Sequence, residues 1–168
     1  MTSAPSARHA SRLPALGRRG GGWVLAQVVL IAAVFASAVF GSEWGSGYDI
    51  AAYAIGAALL AVGLALLGTA AAQLGSALTP FPAPRADQEL VTTGAFALSR
   101  HPMYGGGILI ALGCTVIFAS PVSLFWTVVL AVFLSVKAER EEAWLREQLP
   151  GYDAYRERTP RKLLPFIY

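Results

Sequence analysis

Two uninterrupted apolar runs, residues 23–40 and 50–74, limit what this chain can fold into. Neither contains Asp, Glu, Lys or Arg, and each is long enough to cross the hydrocarbon core of a bilayer as a helix. Inside that core no water pairs with the backbone, so each N–H and C=O must be satisfied within the segment, which a helix does. Apolar residues make up 55% of the chain and charged residues 14%, far from the balance of a soluble domain. The 168 residues hold one compact unit. The expectation is an all-α integral membrane protein with Trp23 as an interfacial anchor.

Two further apolar segments, 102–119 and 121–136, are short for full spans and are separated by the turn signal Ser120-Pro121. They predict a helical hairpin whose helices extend past the hydrocarbon at one end. Thr79-Pro80-Phe81-Pro82-Ala83-Pro84 cannot continue a helix, because its prolines remove donors and fix φ. Residues 75–101 therefore read as irregular. Gly56, Gly63, Gly68 and many alanines in the second run let helices approach closely. After Val136 the chain becomes highly charged through Leu149, with strong helix formers. Ala138, Glu141, Glu142 and Leu145 share one side there, and Pro150-Gly151 closes the helix.

The expected organisation is a flexible basic cytosolic leader at 1–22, a transmembrane domain at 23–136 and a cytosolic C-terminal segment at 137–168 that binds a cofactor. The spans are placed at 23–40, 50–74, 102–119 and 121–136. Ala36-Ser37-Ala38 resembles a signal cleavage site, but the run before it is longer than a usual signal core, which favours a retained span.

The formal charge is +3, and all thirteen Lys and Arg lie outside the apolar runs. Four are in the leader, two in 75–104 and seven after Val136, whereas the 41–49 loop carries only Glu43 and Asp49. The positive-inside rule then places both termini and the 75–104 connection in the cytosol. It explains the basic balance without a nucleic-acid partner, and Arg161-Lys162 suit anionic headgroups. Cys114, the lone cysteine, cannot form an intrachain disulfide, and no Cys/His spacing suggests a metal.

The block Leu98-Ser99-Arg100-His101-Pro102-Met103-Tyr104-Gly105-Gly106-Gly107 sets a guanidinium, an imidazole and a phenol at the border of the third apolar segment. Polar groups there are costly to desolvate and usually functional, and glycine backbone admits a ligand closely. The hairpin returns the chain to its starting level, which brings Glu141, Glu142, Tyr152 and Tyr155 to the same cytosolic surface. This inventory suits a cationic, nucleoside-like ligand. A carboxylate accepts ribose hydroxyls or pairs with an ammonium, Arg and His hold a carboxylate, and tyrosine faces lie beside a sulfonium or an adenine. The plainer alternatives are interfacial anchoring by Arg100 and His101, a solvated face for Glu141 and Glu142, and packing by Tyr152 and Tyr155. Glu139 and Glu147 are assigned to the solvated face. For the others, Pro102, the glycines and the downstream acidic pair together favour a site.

Taken in order, Leu90-Val91-Thr92-Thr93-Gly94-Ala95-Phe96, Arg100-His101-Pro102-Met103-Tyr104-x-Gly106, Glu141-Glu142-x-x-Leu145 and Tyr152-x-x-Tyr155 resemble the isoprenylcysteine carboxyl methyltransferase family. Phospholipid N-methyltransferases are related to it, and the resemblance covers about residues 74–168. It implies an integral-membrane enzyme that uses S-adenosylmethionine and releases S-adenosylhomocysteine. It further implies that His101, Pro102, Tyr104, Gly105 and Gly107 line the cofactor pocket with Leu145, Tyr152 and Tyr155. Glu142, with Glu141 beside it, would bind the cofactor's polar end. Arg100 would orient the acceptor's carboxylate, making Arg100 and Glu142 the residues assigned to catalysis.

The implied acceptor is a lipophilic small molecule or lipid entering from the bilayer. An isoprenylcysteine-like carboxylate is the first reading and a phospholipid amine the second. Outside enzymes, the alternative is a non-catalytic helix bundle or lipid-binding protein. The chain departs from the family in lacking the additional spans of the animal enzymes, and in Ala95, where Pro is usual. Methyl transfer of this kind rests mainly on proximity. A carboxylate is already ionised at pH 7, whereas an amine would need His101 or a glutamate as base.

Overall fold

A computed structural model describes residues 14, 16–17, 20–41, 50–81 and 89–165. The rest of the basic leader, the loop bearing Glu43 and Asp49, and Arg85 lie outside the described residues. The helices are α1 (Gly21–Phe40), α2 (Ile50–Leu74), α3 (Ala95–Leu98), α4 (Pro102–Ile117), α5 (Pro121–Gln148) and α6 (Tyr152–Arg158). Pro102 and Pro121 each open a helix, where a missing N–H costs nothing and the fixed φ suits the first turn. Ser120 caps α5 by accepting from the Ser123 N–H at 3.2 Å.

Among the described residues three helices, α1, α5 and α2 with the turn that follows it, are long and apolar enough to cross a membrane, and α4 is apolar but shorter. Large apolar side chains such as Leu25, Val28, Ile55, Val62, Phe125 and Val132 point outward. A belt of this kind is at home against acyl chains and not against water. The protein is thus an all-α, multi-pass membrane protein.

The centre of the fold is α4, which packs most extensively on α2 and also meets α5 and α1, while α1 lies along α5. The α2–α4 contact is made by glycines. A Cβ on Gly63 would lie 2.8 Å from the Gly106 carbonyl oxygen, and one on Gly56 would lie 2.9 Å from that of Gly113. The two helices therefore run antiparallel with their backbones nearly touching. Gly68 faces open space and takes no part. Away from the Arg-His-Pro block, buried hydroxyls join α1, α4 and α5. Thr115 Oγ1 lies 2.8 Å from Ser123 Oγ and 3.0 Å from Thr127 Oγ1, and Ser123 Oγ donates to the Val34 carbonyl at 3.1 Å.

Some boundaries follow expectation and others differ. The helix of the fourth apolar segment continues past Val136, as expected of a hairpin helix that extends beyond the hydrocarbon, and α5 runs unbroken for 28 residues to Gln148. No glycine or proline interrupts it, and the charged stretch propagates a helix already nucleated in the apolar part. The charged helix is thus the end of α5, and the separate C-terminal helix is α6. The third apolar segment leaves helix at Ile117, and Ala119 turns the chain with φ 45°. Residues 75–101 are not wholly irregular. A 3₁₀ turn spans Gly75–Ala77, and α3 begins where Gln73 Oε1 accepts from the Ala95 N–H at 3.0 Å. Gly94, with φ 61°, sits against that glutamine, where any side chain would collide.

Candidate functional site

Arg100 and His101 lie between α3 and α4 and are held from two directions. The tail after α6 crosses them and accepts from their backbone: the Arg100 N–H donates to the Arg161 carbonyl at 2.9 Å and the His101 N–H to that of Lys162 at 2.8 Å. From α5, Glu142 Oε1 accepts from Arg100 Nε at 2.9 Å and lies 3.2 Å from His101 Nε2. An ionised carboxylate can only accept, so this contact puts the proton on Nε2. Arg100 Nη1 donates to the carbonyls of Thr159 (2.8 Å) and Pro160 (2.6 Å). Arg156 adds a looser ion pair to Glu142 Oε2 at 3.7 Å.

Arg100 is 8% and Glu142 7% exposed, so this is a buried charge cluster. Glu142 belongs to the charged end of α5. Burial alone would raise its pKa. The hydrogen bonds and charges of His101 and Arg100 prevail and lower it from the ordinary 4.5 to about 2. Glu142 is accordingly ionised at any physiological pH. Its strongest partners are the two residues it positions.

One residue earlier on the helix, Glu141 Oε2 accepts from the Tyr104 hydroxyl at 2.7 Å and lies 3.7 Å from His101 Nδ1. The His101 and Tyr104 rings stack with centroids 5.4 Å apart and planes 6° from parallel. Tyr155 donates to the Phe96 carbonyl at 2.7 Å, fixing α6 against α3. Tyr152 packs edge-on against Tyr155, and its buried hydroxyl has no partner among the described residues. Burial raises the pKa of both phenols, keeping them neutral.

These groups surround a cavity of about 550 Å³, within the usual size of ligand sites. Of the residues singled out from the sequence, Arg100, His101, Pro102, Tyr104, Gly107, Glu141, Leu145, Tyr152 and Tyr155 line it. Two do not. Glu142 stands behind Arg100 and His101. Gly105 faces the tail, where a Cβ would lie 2.2 Å from the Leu163 carbonyl oxygen. Gly107 is the member of the triplet whose bare Cα looks into open space at the wall.

Residues that the sequence reading passed over complete the wall. Ile31 and Val34 of α1, Leu67 of α2, and Leu130 and Leu134 of α5 form an apolar part, and Gln27 and Lys137 stand where that part meets the polar end. The signal for those two was present: Gln27 is a polar residue within an apolar run, and Lys137 is the first charge after one and precedes Glu141 by one helical turn. The carbonyls of Thr159 to Lys162 left no sequence signal, since any residue type supplies them.

The arrangement can hold an amphiphile. Donors and acceptors at one end meet a polar group, the adjoining apolar wall meets a hydrocarbon, and the ionised, fully engaged Glu142 keeps the polar end rigid.

A family model described as phospholipid methyltransferase matches residues 51–150, from α2 to just past α5. The protein-S-isoprenylcysteine O-methyltransferase of Schizosaccharomyces pombe is 38% identical over 76 residues, covering 44% of this chain and 32% of that protein. A probable protein-S-isoprenylcysteine O-methyltransferase of Oryza sativa subsp. indica is 36% identical over 81 residues, covering 47% of this chain and 42% of its own. The matches thus span less than half the length of these relatives. The structure of the eukaryotic intramembrane Ras methyltransferase, isoprenylcysteine carboxyl methyltransferase, is similar with a TM-score of 0.61, over 90% of this chain and 55% of that one. At 23% identity, that likeness concerns the fold.

Proposed function

The chain belongs to the phospholipid methyltransferase family, and on that premise we propose that it transfers a methyl group from S-adenosylmethionine to a lipophilic acceptor, a carboxylate of the isoprenylcysteine type. The observation that carries this reading is a single cavity with a polar end at Arg100, His101, Tyr104 and Glu141 and an apolar wall at Ile31, Val34, Leu130 and Leu134. A charged donor and a hydrocarbon-tailed acceptor need those two environments side by side.

The residues present fit the cofactor. The Tyr152 hydroxyl is buried and unpartnered in the wall, the state of a group that waits for a ligand. Gly107 leaves room for close approach. His101, Pro102, Tyr104, Gly107, Glu141, Leu145, Tyr152 and Tyr155 would hold it. When bound, S-adenosylmethionine supplies a methyl carbon already activated by its sulfonium. Glu142 acts as a positioning residue through Arg100 and His101, and Gly105 serves by seating the tail. The apolar wall excludes water from the reacting region, and an ionised carboxylate acceptor needs no base.

In the membrane, α4 forms a fourth crossing. With the 118–120 turn and α5 it makes the hairpin, the transmembrane domain ends near Val136, and both termini face the cytosol. Arg100, Lys137, Arg140 and Arg146 gather at one end of the bundle, as the positive-inside rule requires of a cytosolic face.

Calorimetry with S-adenosylhomocysteine on the detergent-solubilised protein tests the reading. Micromolar binding to one site per chain is expected, and no heat at high micromolar concentration would overturn it. The description of the matched family favours a second acceptor, a phospholipid amine. Transfer of labelled methyl to phosphatidylethanolamine alone, with a prenylcysteine also offered, selects that alternative.

A further inference from the structure

Arg100 lines the cavity, but much of its guanidinium is already engaged. Nε is paired with Glu142, and Nη1 donates to two backbone carbonyls. A second cation stands closer to the apolar wall. Lys137 is 1% exposed, and it lies on α5 one turn after Leu134 and one turn before Glu141. Its ammonium donates to Gln27 Oε1 of α1 and, at 3.4 Å, to the carbonyl of Pro80, and it sits 5.1 Å from the centre of the Tyr104 ring. These direct partners are neutral. No carboxylate lies within ion-pair distance of Nζ among the described residues.

The Glu141 charge acts on this ammonium from beyond ion-pair distance, and a buried ammonium whose hydrogen-bond partners are all neutral is stabilised further when an anion joins it directly. Two of its three donors are accounted for, and the residue lines the cavity at the junction of polar and apolar walls. An acceptor whose hydrocarbon lies along Ile31, Val34, Leu130 and Leu134 would bring its polar head to that junction. We propose that Lys137, oriented by Gln27, binds the carboxylate of the methyl acceptor, so that α1 takes part in acceptor recognition. This rests on the methyltransferase reading and deepens it: the same cation repels an ammonium head, and it therefore selects a carboxylate over a phospholipid amine. Arg100 then belongs to the rigid charge cluster with Glu142.

The test compares binding of an N-acyl-S-prenylcysteine with that of its neutral carboxamide, for the full chain and for Lys137→Met and Lys137→Arg, alongside S-adenosylhomocysteine affinity and methyl transfer. The full chain is expected to prefer the carboxylate at least tenfold. Lys137→Met should erase that preference and raise KM for the carboxylate about tenfold, with S-adenosylhomocysteine affinity within twofold; Lys137→Arg should keep part of the preference. Intact S-adenosylhomocysteine affinity shows that the variant is folded. An unchanged preference and KM in folded Lys137→Met would overturn the inference and leave the methyltransferase reading standing. A Lys137-dependent preference without any methyl transfer to the carboxylate would do the reverse. No preference in the full chain would overturn the clamp directly.

Discussion

Alanine substitutions at Gly106 and Gly107 should have opposite effects, although the two are neighbours on one helix. A Cβ on Gly106 would lie 2.7 Å from the Gly63 carbonyl oxygen and 2.9 Å from the Leu67 nitrogen. Both are backbone atoms of α2, so neither can rotate away, and the two helices must part by several tenths of an ångström. Overpacking of this kind costs about 1–3 kcal/mol, offset by about 0.5–1 kcal/mol from replacing a helical glycine. Gly106→Ala is expected to lose about 1–2 kcal/mol of stability. A Cβ on Gly107 meets no atom within 4 Å, so only the helix-propensity gain remains, and Gly107→Ala should be as stable as the parent or slightly more. Its methyl group projects into the cavity and should weaken S-adenosylhomocysteine binding about tenfold, or about 1.4 kcal/mol. Thermal unfolding in detergent and calorimetry read the two effects separately. A parent-like Gly106→Ala would refute the close α2–α4 contact, and parent-like affinity in Gly107→Ala would remove Gly107 from the cofactor pocket.

The lowered pKa of Glu142 favours the folded state above the ordinary carboxyl value of 4.5, and that contribution is lost as pH falls toward about 2. The gap in unfolding stability between the parent and Glu142→Gln should therefore be widest near neutral pH, on the order of 3 kcal/mol, and should close between pH 4.5 and 2; a gap that does not narrow contradicts the buried cluster. Tyr152→Phe removes a hydroxyl with no partner and should leave stability unchanged while lowering S-adenosylhomocysteine affinity severalfold. Tyr155→Phe breaks the bond to the Phe96 carbonyl and should cost about 1 kcal/mol; equal effects of the two changes on stability would count against the assignment. Thr115→Val strands the Thr127 hydroxyl and leaves that of Ser123 with the Val34 carbonyl alone, and it should lower stability by about 1–3 kcal/mol without changing ligand affinity, as thermal unfolding and calorimetry would show.

The membrane class was legible in the uncharged runs at 23–40 and 50–74, because a bilayer tolerates little else. The meeting of Arg100 and His101 with Glu141 and Glu142 was legible too, through the hairpin argument. What escaped were contacts that depend on orientation about a helix axis. Three adjacent glycines look alike in sequence, yet Gly105 faces the tail, Gly106 faces α2 and Gly107 faces the cavity, since successive helical residues are about 100° apart. Glu142, expected as a direct cofactor ligand, stands behind the wall, and the half-buried Glu141 takes the place in it. The run of α5 to Gln148 was legible as well, in strong helix formers up to Pro150-Gly151, because a change from apolar to charged composition does not end a helix.

The most direct test of the account offers methyl-labelled S-adenosylmethionine and an N-acyl-S-prenylcysteine to the protein in lipid nanodiscs and follows the label. The account predicts label in the prenylcysteine that is released by mild base, as a methyl ester must be. Label absent from the prenylcysteine, or found only as a base-stable methyl on a lipid amine, would contradict it.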